Sequence, residues 1–338
     1  MLKKYSGINF IKSFKTPCIT LDAPQNSPCY LENIRMTENG VILKNNSIIS
    51  NSITHNKSLN CYRRIGFLIK YIFPSFPFAK KDEIYIKIND EWSDNYYHWV
   101  IEALSNLIKL RKLYPKSIIV LPKKYLKKEY VIKSLEAFQE RPKDVITIAR
   151  RSNLKLPKLS FIPRQKENER GIFDYKKYYD SLQLSEIRNQ IISHFKGDLN
   201  LDLGEKIYIS RNNPKCNFRR KISNENEVKN CLEKHGFKTV YMEDYKFIDQ
   251  ISIALHAKYI VAAHGAGITN VLFIKQDGCL LELTSKEWSG MFFIECFKEI
   301  LTRIKIKYFN QNCKILDQNN GDIEVDIAKL EENLSKII

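Results

Sequence analysis

Short apolar runs alternate with longer amphipathic segments along most of this chain. Such a pattern predicts strands of about four to eight residues separated by longer helices. The predicted strands are Glu83–Ile88, Ser117–Leu121, Asp144–Ile148, Leu159–Pro163, Lys206–Ser210, Lys238–Met242, Tyr259–Ala263, Cys279–Leu283 and Lys305–Phe309. Because helical segments separate most of them, we expect an α/β fold with a parallel sheet covered on both faces.

The alternation is most regular after residue 200, where it is typical of a Rossmann-like domain. Nearer the N-terminus, Asn39-Gly40 lies between two short alternating arms and predicts a β-hairpin. Residues 164–177 are charged and polar and form a candidate linker. We therefore predict an N-terminal α/β domain over residues 1–175 and a Rossmann-like domain over 176–310. Residues 311–338 are a predicted tail, with the N-terminal domain as its candidate packing surface.

The stretch YIVAAHGAGITN, residues 259–270, has the strongest chemical character. A predicted buried strand ends at His264, and Gly265, Ala266 and Gly267 follow with almost no side chain. Small residues let a backbone approach a ligand closely, and the N–H groups that begin a helix favour an anion. A diphosphate would fit such a turn. Only one Gly-x-Gly is present, so a tight turn without a ligand is the alternative.

Two other polar residues fall at the carboxyl ends of predicted strands, where doubly wound sheets bind their ligands. Arg211 follows the strand at 206–210, and Glu282 lies near the end of the strand at 279–283. Together with the glycine turn they suit a nucleotide diphosphate. Backbone amides and Arg211 would bind the phosphates, and Glu282 would accept hydrogen bonds from ribose hydroxyls.

Three nearby side chains have two interpretations each. His264 either contacts a phosphate or makes a structural hydrogen bond within its own turn. Arg219 and Arg220 either bind the ligand or are exposed charges of a loop.

In the first half, the segment EWSDNYYHWVIEAL predicts a helix that begins at Ser93 or Asp94. On such a helix Asp94, His98 and Glu102 are spaced four residues apart and share one face. The tyrosines and tryptophans around them indicate a recessed position.

The net charge of +17 is unevenly distributed, because residues 111–170 hold seventeen Lys and Arg against six Asp and Glu. Such a surface suits anionic lipid headgroups, an anionic substrate or nucleic acid. No sequence signature of a nucleic-acid-binding module is present, so no nucleic-acid partner is expected. A solvated basic face is the simplest interpretation for most of these lysines.

The eight cysteines are scattered without a Cys-x-x-Cys pair and are predicted to be reduced thiols, neither disulfides nor a zinc site. No secretory signal or membrane-spanning run is recognisable. The expected location is the cytoplasm, with peripheral contact at the inner face of an anionic membrane.

Four motifs occur in order: NYYHWVIEAL at 95–104, IYISR at 207–211, HGAGITN at 264–270 and LELT at 281–284. Together they resemble glycosyltransferase family 61, which includes bacterial capsule-type enzymes, plant xylan-decorating enzymes and animal O-linked N-acetylglucosamine transferases. The resemblance implies a GT-B fold, with two Rossmann-like domains facing a cleft, and inversion at the anomeric carbon. It further implies that the domain over 1–175 lies on the acceptor side and that the domain over 176–310 binds the donor. The donor-site residues that it implies are Arg211, His264, Gly265, Gly267, Asn270 and Glu282. We add Ala266 and Arg219 to this set.

The resemblance implies that an acceptor hydroxyl displaces the nucleoside diphosphate directly, so a base must take the hydroxyl proton. The candidate bases are His98, Asp94 and Glu102, with His98 on the opposite wall of the cleft. His98 is preferred because an unperturbed histidine titrates nearest to neutral pH. No Asp-x-Asp motif that would hold a metal under the diphosphate is present, so neither a metal nor another cofactor is expected.

The chain is therefore predicted to be a metal-independent hexosyl- or pentosyltransferase. Its expected partners are a nucleotide-sugar and a glycan or lipid-linked glycan of the capsule or lipopolysaccharide type. The alternatives are a non-catalytic nucleotide- or glycan-binding protein and a nicotinamide-dependent oxidoreductase. The oxidoreductase would require a fuller glycine fingerprint than this chain has.

Overall fold

The computed structural model describes residues 17–22, 26–53, 79–163, 180–288 and 292–338. The chain divides into two compact units, Met1–Phe173 (unit 1) and Asp174–Ile338 (unit 2). The candidate linker at 164–177 and the predicted domain boundary after residue 175 both lie outside the described residues.

Unit 1 is built on a mixed sheet of eight strands in the order β1-β4-β3-β2-β8-β5-β6-β7. Its strands in chain order are β1 Cys18–Ile19, β2 Cys29–Thr37, β3 Ile42–Lys44, β4 Ser47–Ile49, β5 Tyr85–Lys87, β6 Ile118–Pro122, β7 Val145–Ile148 and β8 Asn153–Phe161. In the described part of unit 1, two α-helices accompany them, α1 Leu104–Leu113 and α2 Glu129–Ala137.

The sheet of unit 1 is parallel in only part of its width. Strands β8, β5, β6 and β7 run parallel to one another, as predicted. In contrast β2 is antiparallel to both β3 and β8. The turn at Asn39-Gly40 folds the chain back on itself and so makes β2 and β3 antiparallel. The hairpin prediction is confirmed, but a wholly parallel, Rossmann-like sheet in this half is wrong.

Unit 2 contains a wholly parallel sheet of five strands in the order β10-β9-β11-β12-β13. These strands are β9 Lys206–Ile209, β10 Lys238–Val240, β11 Tyr259–Ala263, β12 Cys279–Thr284 and β13 Lys307–Asn312. The α-helices among the described residues of this unit are α3 Ser181–His194, α4 Glu225–Lys234, α5 Phe247–His256, α6 Phe292–Arg303 and α7 Ile327–Ile337. Strands β11 and β12 are apolar runs because both of their faces are covered.

The segment after residue 310 belongs to unit 2, whereas the sequence interpretation made it a tail with the N-terminal domain as its packing surface. Leu330, Leu334 and Ile337 of α7 are buried in the same apolar cluster as Val228 of α4 and Leu281 of β12. The amphipathic spacing of α7 therefore covers a face of unit 2 that its other elements leave open.

A short hairpin in this segment, β14 Lys314–Asp317 and β15 Asp322–Glu324, supports a loop of unit 2. The Asn320 carbonyl accepts from the backbone N–H of Arg220 at 3.0 Å, and the Gly321 carbonyl accepts from the indole N–H of Trp288 at 2.9 Å. Gly321 has a φ of 74°, which glycine adopts without strain. The hairpin thereby sets the path of the loop that follows β9.

Within the described residues, no helix has the length and apolar character needed to cross a bilayer. None of the seven cysteines in this part of the chain forms a disulfide.

Candidate donor and base sites

The strand order of unit 2 defines where a ligand can bind. Numbered from β9, the order is 2-1-3-4-5, and in such sheets the crevice lies between the carboxyl ends of the first and third strands. Those strands are β9 and β11, which are hydrogen-bonded neighbours with Ile207 opposite Ile260. Arg211 follows β9 and His264 follows β11. Two of the predicted donor-site residues therefore flank this crevice.

The guanidinium of Arg211 lies directly against the backbone of Gly265. A β-carbon added to Gly265 would lie 1.8 Å from Nη1 and 2.8 Å from Cζ of Arg211. The guanidinium is held there by two hydrogen bonds from Nε and Nη2 to the Arg219 carbonyl, at 3.1 and 2.8 Å. A side chain at position 265 would therefore displace the guanidinium of Arg211. Its φ of 171° is extended backbone that any residue adopts.

The electrostatics of this position favour an anion. Burial, together with the positive charge of Arg220, lowers the pKa of Arg211 to about 10. Arg211 is still protonated at neutral pH, so two like charges stay close together in a partly desolvated place. An anion placed between them would relieve this repulsion.

The helix predicted after Gly267 is a 3₁₀-helix, Ala266–Phe273, and not an α-helix. Its tighter winding begins with a hydrogen bond from Ile268 N to the Gly265 carbonyl at 3.0 Å. Gly265 and the residues from Ile268 to Phe273 are buried, whereas Ala266 and Gly267 are partly exposed. A ligand would therefore reach the turn at Ala266 and Gly267.

His264 and Glu282 form a buried pair behind this turn. Nδ1 of His264 lies 2.5 Å from Oε1 of Glu282, and the hydroxyl of Tyr308 donates to Oε2 at 2.8 Å. Glu282 is 0% exposed. The predicted hydrogen bonds from ribose hydroxyls to Glu282 do not fit this burial, because protein donors already occupy both oxygens. Glu282 instead orients the ring of His264. This contact joins His264 to a side chain of the neighbouring strand, whereas the sequence interpretation placed a structural hydrogen bond within the turn itself.

His264 is held mostly in its neutral form. Burial lowers the pKa of its imidazole, the carboxylate of Glu282 raises it in part, and the charges of Arg220 and Arg211 lower it further. The net direction is downward, so His264 binds a proton less readily in the folded protein than in the unfolded chain.

This depression predicts a pH dependence of stability. Below the ordinary histidine pKa of about 6.5, the unfolded chain binds a proton that folded His264 resists. The free energy of unfolding therefore has its full value above about pH 6.5 as far as His264 is concerned. It falls as the pH decreases, by up to about 1.4 kcal/mol at pH 5.5. Between about pH 7.5 and 5.5, the melting temperature should decrease less steeply for His264→Asn than for the natural chain.

The exposed His194 offers a matched control for this measurement. His194→Asn should keep the pH dependence of the natural chain. Equal slopes for the natural chain and His264→Asn would contradict the depressed pKa.

The two arginines of the loop have different roles. The carbonyl of Arg219 binds Arg211, but its own Nη2 donates to the Asn319 carbonyl at 2.9 Å on the exposed side. The charge of Arg220 lowers the pKa of both Arg211 and His264. Arg220, whose role the sequence left open, is therefore the second cation beside the crevice, and Arg219 contributes its backbone.

Asn270 supports the turn from within. It is 0% exposed, and its amide nitrogen donates to Oε1 of Gln250 and to the Gly267 carbonyl, both at 3.1 Å. The amide thus braces the glycine turn against α5, whereas the family resemblance implied a donor-site residue.

In unit 1, the predicted helix at 91–110 begins later and with a different geometry. Residues 91–94 form turns, and His98–Ala103 is a π-helix that continues into α1. The i→i+5 hydrogen bonds of a π-helix widen the backbone locally, and such turns are frequent at functional sites.

His98 and Glu102 keep their predicted contact on this helix. Nδ1 of His98 lies 2.8 Å from Oε2 of Glu102, and their side chains are 25% and 9% exposed. When Nδ1–H donates to the carboxylate, Nε2 carries the lone pair that takes up a proton. A partly exposed imidazole oriented by a buried carboxylate is the arrangement of a general base.

Asp94 does not join this pair. Its carboxylate forms ion pairs with Lys124 and Lys128, each at 3.1 Å, and it is 40% exposed. Burial alone would raise the pKa of Asp94, but hydrogen bonds and charges from the two lysines outweigh it and lower the pKa. Asp94 is therefore a weaker base than an ordinary aspartate, and its role as the base stays a prediction.

Asp90 takes the place that the sequence interpretation gave to Asp94. One ligand atom each from Asp90, His98 and Glu102 lies within 4.8 Å of the others. Asp90 is 1% exposed, and its Oδ1 accepts from the Trp92 N–H and the Ser93 hydroxyl, both at 2.8 Å. The sequence signal for Asp90 is the Asp-x-x-Ser spacing to Ser93, which is typical of a side-chain-stabilised turn.

Comparisons with known proteins agree with the sequence motifs. A family model described as Glycosyltransferase 61 matches residues 96–281. The EGF domain-specific O-linked N-acetylglucosamine transferase of Canis lupus familiaris is 36% identical over 73 residues, or 20% of this chain and 14% of the dog protein. The protein of that name from Drosophila melanogaster is 27% identical over 107 residues, or 30% of this chain and 20% of the fly protein. The chain thus spans a fifth or less of the length of these relatives.

Proposed function

The chain belongs to the glycosyltransferase 61 family, because the family model matches more than half of it, and on this premise we propose an inverting sugar transfer from a nucleotide-sugar to an acceptor hydroxyl. The observation that supports donor binding is the pair of arginines beside the glycine turn, at the crevice between β9 and β11. Arg211 contacts the backbone of Gly265, and Arg220 lies close enough to affect its pKa.

In the proposed donor complex, the diphosphate lies against Arg211, Arg220 and the exposed part of the turn at Ala266 and Gly267. Charge-assisted hydrogen bonds contribute about 1.5–3 kcal/mol each, so two arginines supply much of the affinity for the phosphates. His264, oriented by Glu282, is the remaining polar group at the turn. The GT-B arrangement implied by the resemblance is part of this proposal.

The reaction is a single displacement. The acceptor oxygen forms a bond to the anomeric carbon on the face opposite the diphosphate, and the bond from that carbon to the phosphate oxygen breaks. The bonding electron pair leaves with the nucleoside diphosphate, whose new charge the arginines stabilise. The acceptor proton passes to Nε2 of His98, and Glu102 stabilises the imidazolium that forms.

The finer features are proposals of the same kind. We propose that the leaving group needs no metal, because Arg211 and Arg220 supply positive charge at the phosphates. The basic surplus of residues 111–170 suits an anionic glycan, a lipid-linked acceptor of the capsule or lipopolysaccharide type, or the inner surface of a membrane. We propose a cytoplasmic enzyme with peripheral contact to that membrane. The relatives' printed names add N-acetylglucosamine as one donor sugar to test.

A nucleotide-sugar panel tests this function without knowledge of the acceptor. We expect one of the uridine, guanosine or cytidine diphosphates to raise the melting temperature by a few degrees, because a ligand at about 100 times its Kd stabilises by about 2.7 kcal/mol. The matching nucleotide-sugar should be hydrolysed slowly, and EDTA should leave the rate unchanged.

Each other outcome identifies a competing function. Nucleotide binding with neither hydrolysis of the nucleotide-sugar nor transfer to any acceptor would favour a non-catalytic nucleotide-binding protein. A melting shift with NAD instead of a nucleoside diphosphate would favour the oxidoreductase. No shift with any nucleotide would contradict the donor site.

A further inference from the structure

The side chains of Asp90, His98 and Glu102 form a compact set of one nitrogen and two carboxylate ligands. Their ligand atoms all lie within 4.8 Å of one another. Zinc bonds to such atoms are about 2.0–2.2 Å long, so tetrahedral coordination needs ligand separations of roughly 3.3–3.5 Å. Side-chain adjustments of about an ångström would therefore bring the three atoms onto one ion.

Asp90 is held by groups that do not belong to the cluster, and His98 and Glu102 are positioned by the helix that carries them. Oδ1 of Asp90 accepts from the Trp92 N–H and the Ser93 hydroxyl, and the Asp90 carbonyl accepts from the hydroxyl of Tyr125 at 3.2 Å. Partners of this kind orient metal ligands and account for a large part of metal affinity. The π-helix places His98 and Glu102 on one face.

The cluster is also accessible. Asp90 and Glu102 are buried, whereas a quarter of the His98 side chain is exposed. A site with three protein ligands and one open side is the usual form of a zinc site that binds a further ligand. Imidazole with carboxylates favours Zn²⁺ and its first-row neighbours over Mg²⁺, which prefers oxygen ligands in octahedral geometry.

We propose that Asp90, His98 and Glu102 form a binding site for Zn²⁺ or a similar first-row divalent ion. Zn²⁺ binds neutral imidazole through one ring nitrogen, and the ring proton then lies on the other nitrogen. The ion then occupies the imidazole that would take the acceptor proton. Zn²⁺ thus inhibits the transferase. The binding rests on the geometry alone, and the inhibition rests on the proposed function.

Zinc titration of the full chain tests the binding. We expect one Zn²⁺ to bind by calorimetry, and Asp90→Asn to weaken this binding by at least about tenfold. Asparagine keeps the Oδ1 atom that accepts from Trp92 and Ser93, so the fold of the segment is preserved. Asp94→Asn is the matched control, because Asp94 lies in the same segment and pairs with lysines outside the cluster.

Co²⁺ distinguishes this site from the cysteines. Binding at the proposed ligands gives weak visible absorption without a thiolate-to-cobalt charge-transfer band, and Asp90→Asn removes it. A thiolate band, or equal Zn²⁺ affinity in Asp90→Asn and Asp94→Asn, would overturn the site.

Measurement of transferase activity in the presence of Zn²⁺ separates the zinc site from the proposed function. Zn²⁺ should slow sugar transfer or donor hydrolysis, a chelator should restore it, and Asp90→Asn should raise the inhibitory concentration by the same factor as the Kd. Zinc binding without any transferase activity would overturn the proposed function and leave the site. Transferase activity without zinc binding would do the reverse.

Discussion

Replacement of His98 by asparagine is expected to lower the rate of sugar transfer by about 10²–10⁴-fold, the usual contribution of a general base. Asparagine can still donate a hydrogen bond to Glu102 but cannot accept a proton at neutral pH. Affinity for the nucleoside diphosphate should stay the same, because the groups proposed to bind it lie in unit 2. The measurement is kcat/KM for transfer, paired with calorimetric affinity for the nucleotide.

His194→Asn provides the matched control, since His194 is exposed on α3 and takes no part in either proposed site. The comparison with Asp94→Asn is more informative. If that variant slows transfer as strongly as His98→Asn does, the base has been assigned to the wrong side chain. If His98→Asn transfers sugar at the natural rate, His98 is not the base.

Replacement of Gly265 by alanine is expected to weaken binding of the nucleoside diphosphate by about 10- to 100-fold, the value of one charge-assisted hydrogen bond. The added methyl group would lie 1.8 Å from Nη1 of Arg211, so the guanidinium must leave its position. One methyl group would thus remove an arginine from the site without changing any charge. Calorimetry with the nucleotide identified by the panel measures the loss.

Two further variants make this result specific. Gly197→Ala is a matched control, because a β-carbon there would meet nothing within 4 Å. Arg211→Ala should reproduce the loss seen in Gly265→Ala, and combining the two substitutions should add little. Unchanged affinity in both single variants would show that Arg211 does not bind the diphosphate.

Much of unit 2 could be predicted from the order of its residues. Strand β11 has the predicted bounds, and β9, β10 and β12 lie within a residue or two of theirs. Buried parallel strands are short apolar runs, and the glycines after β11 mark where the chain must turn, so this information is local. The same local signal predicted the hairpin at Asn39-Gly40.

The partners of the polar side chains could not be predicted in this way. Spacing alone placed Asp94 on the face of His98 and Glu102, but the chain turns before His98, and Asp90 lies there instead. Two lysines more than twenty residues away lower the pKa of Asp94. A helix begins where its first hydrogen bonds form, and those depend on packing that no short spacing records.

At the proposed donor site too, the sequence determined some features and the tertiary structure decided others. The sequence alone determined that His264 and the glycine turn end a buried strand, and that Arg211 ends another. Only the tertiary structure decided that Glu282 lies behind His264, and that Arg220 supplies the second charge while Arg219 contributes its carbonyl. It also decided that a hairpin near the C-terminus supports this loop. Apolar periodicity is set by neighbours along the chain, whereas hydrogen bonds and charge effects depend on groups that folding brings together from distant positions.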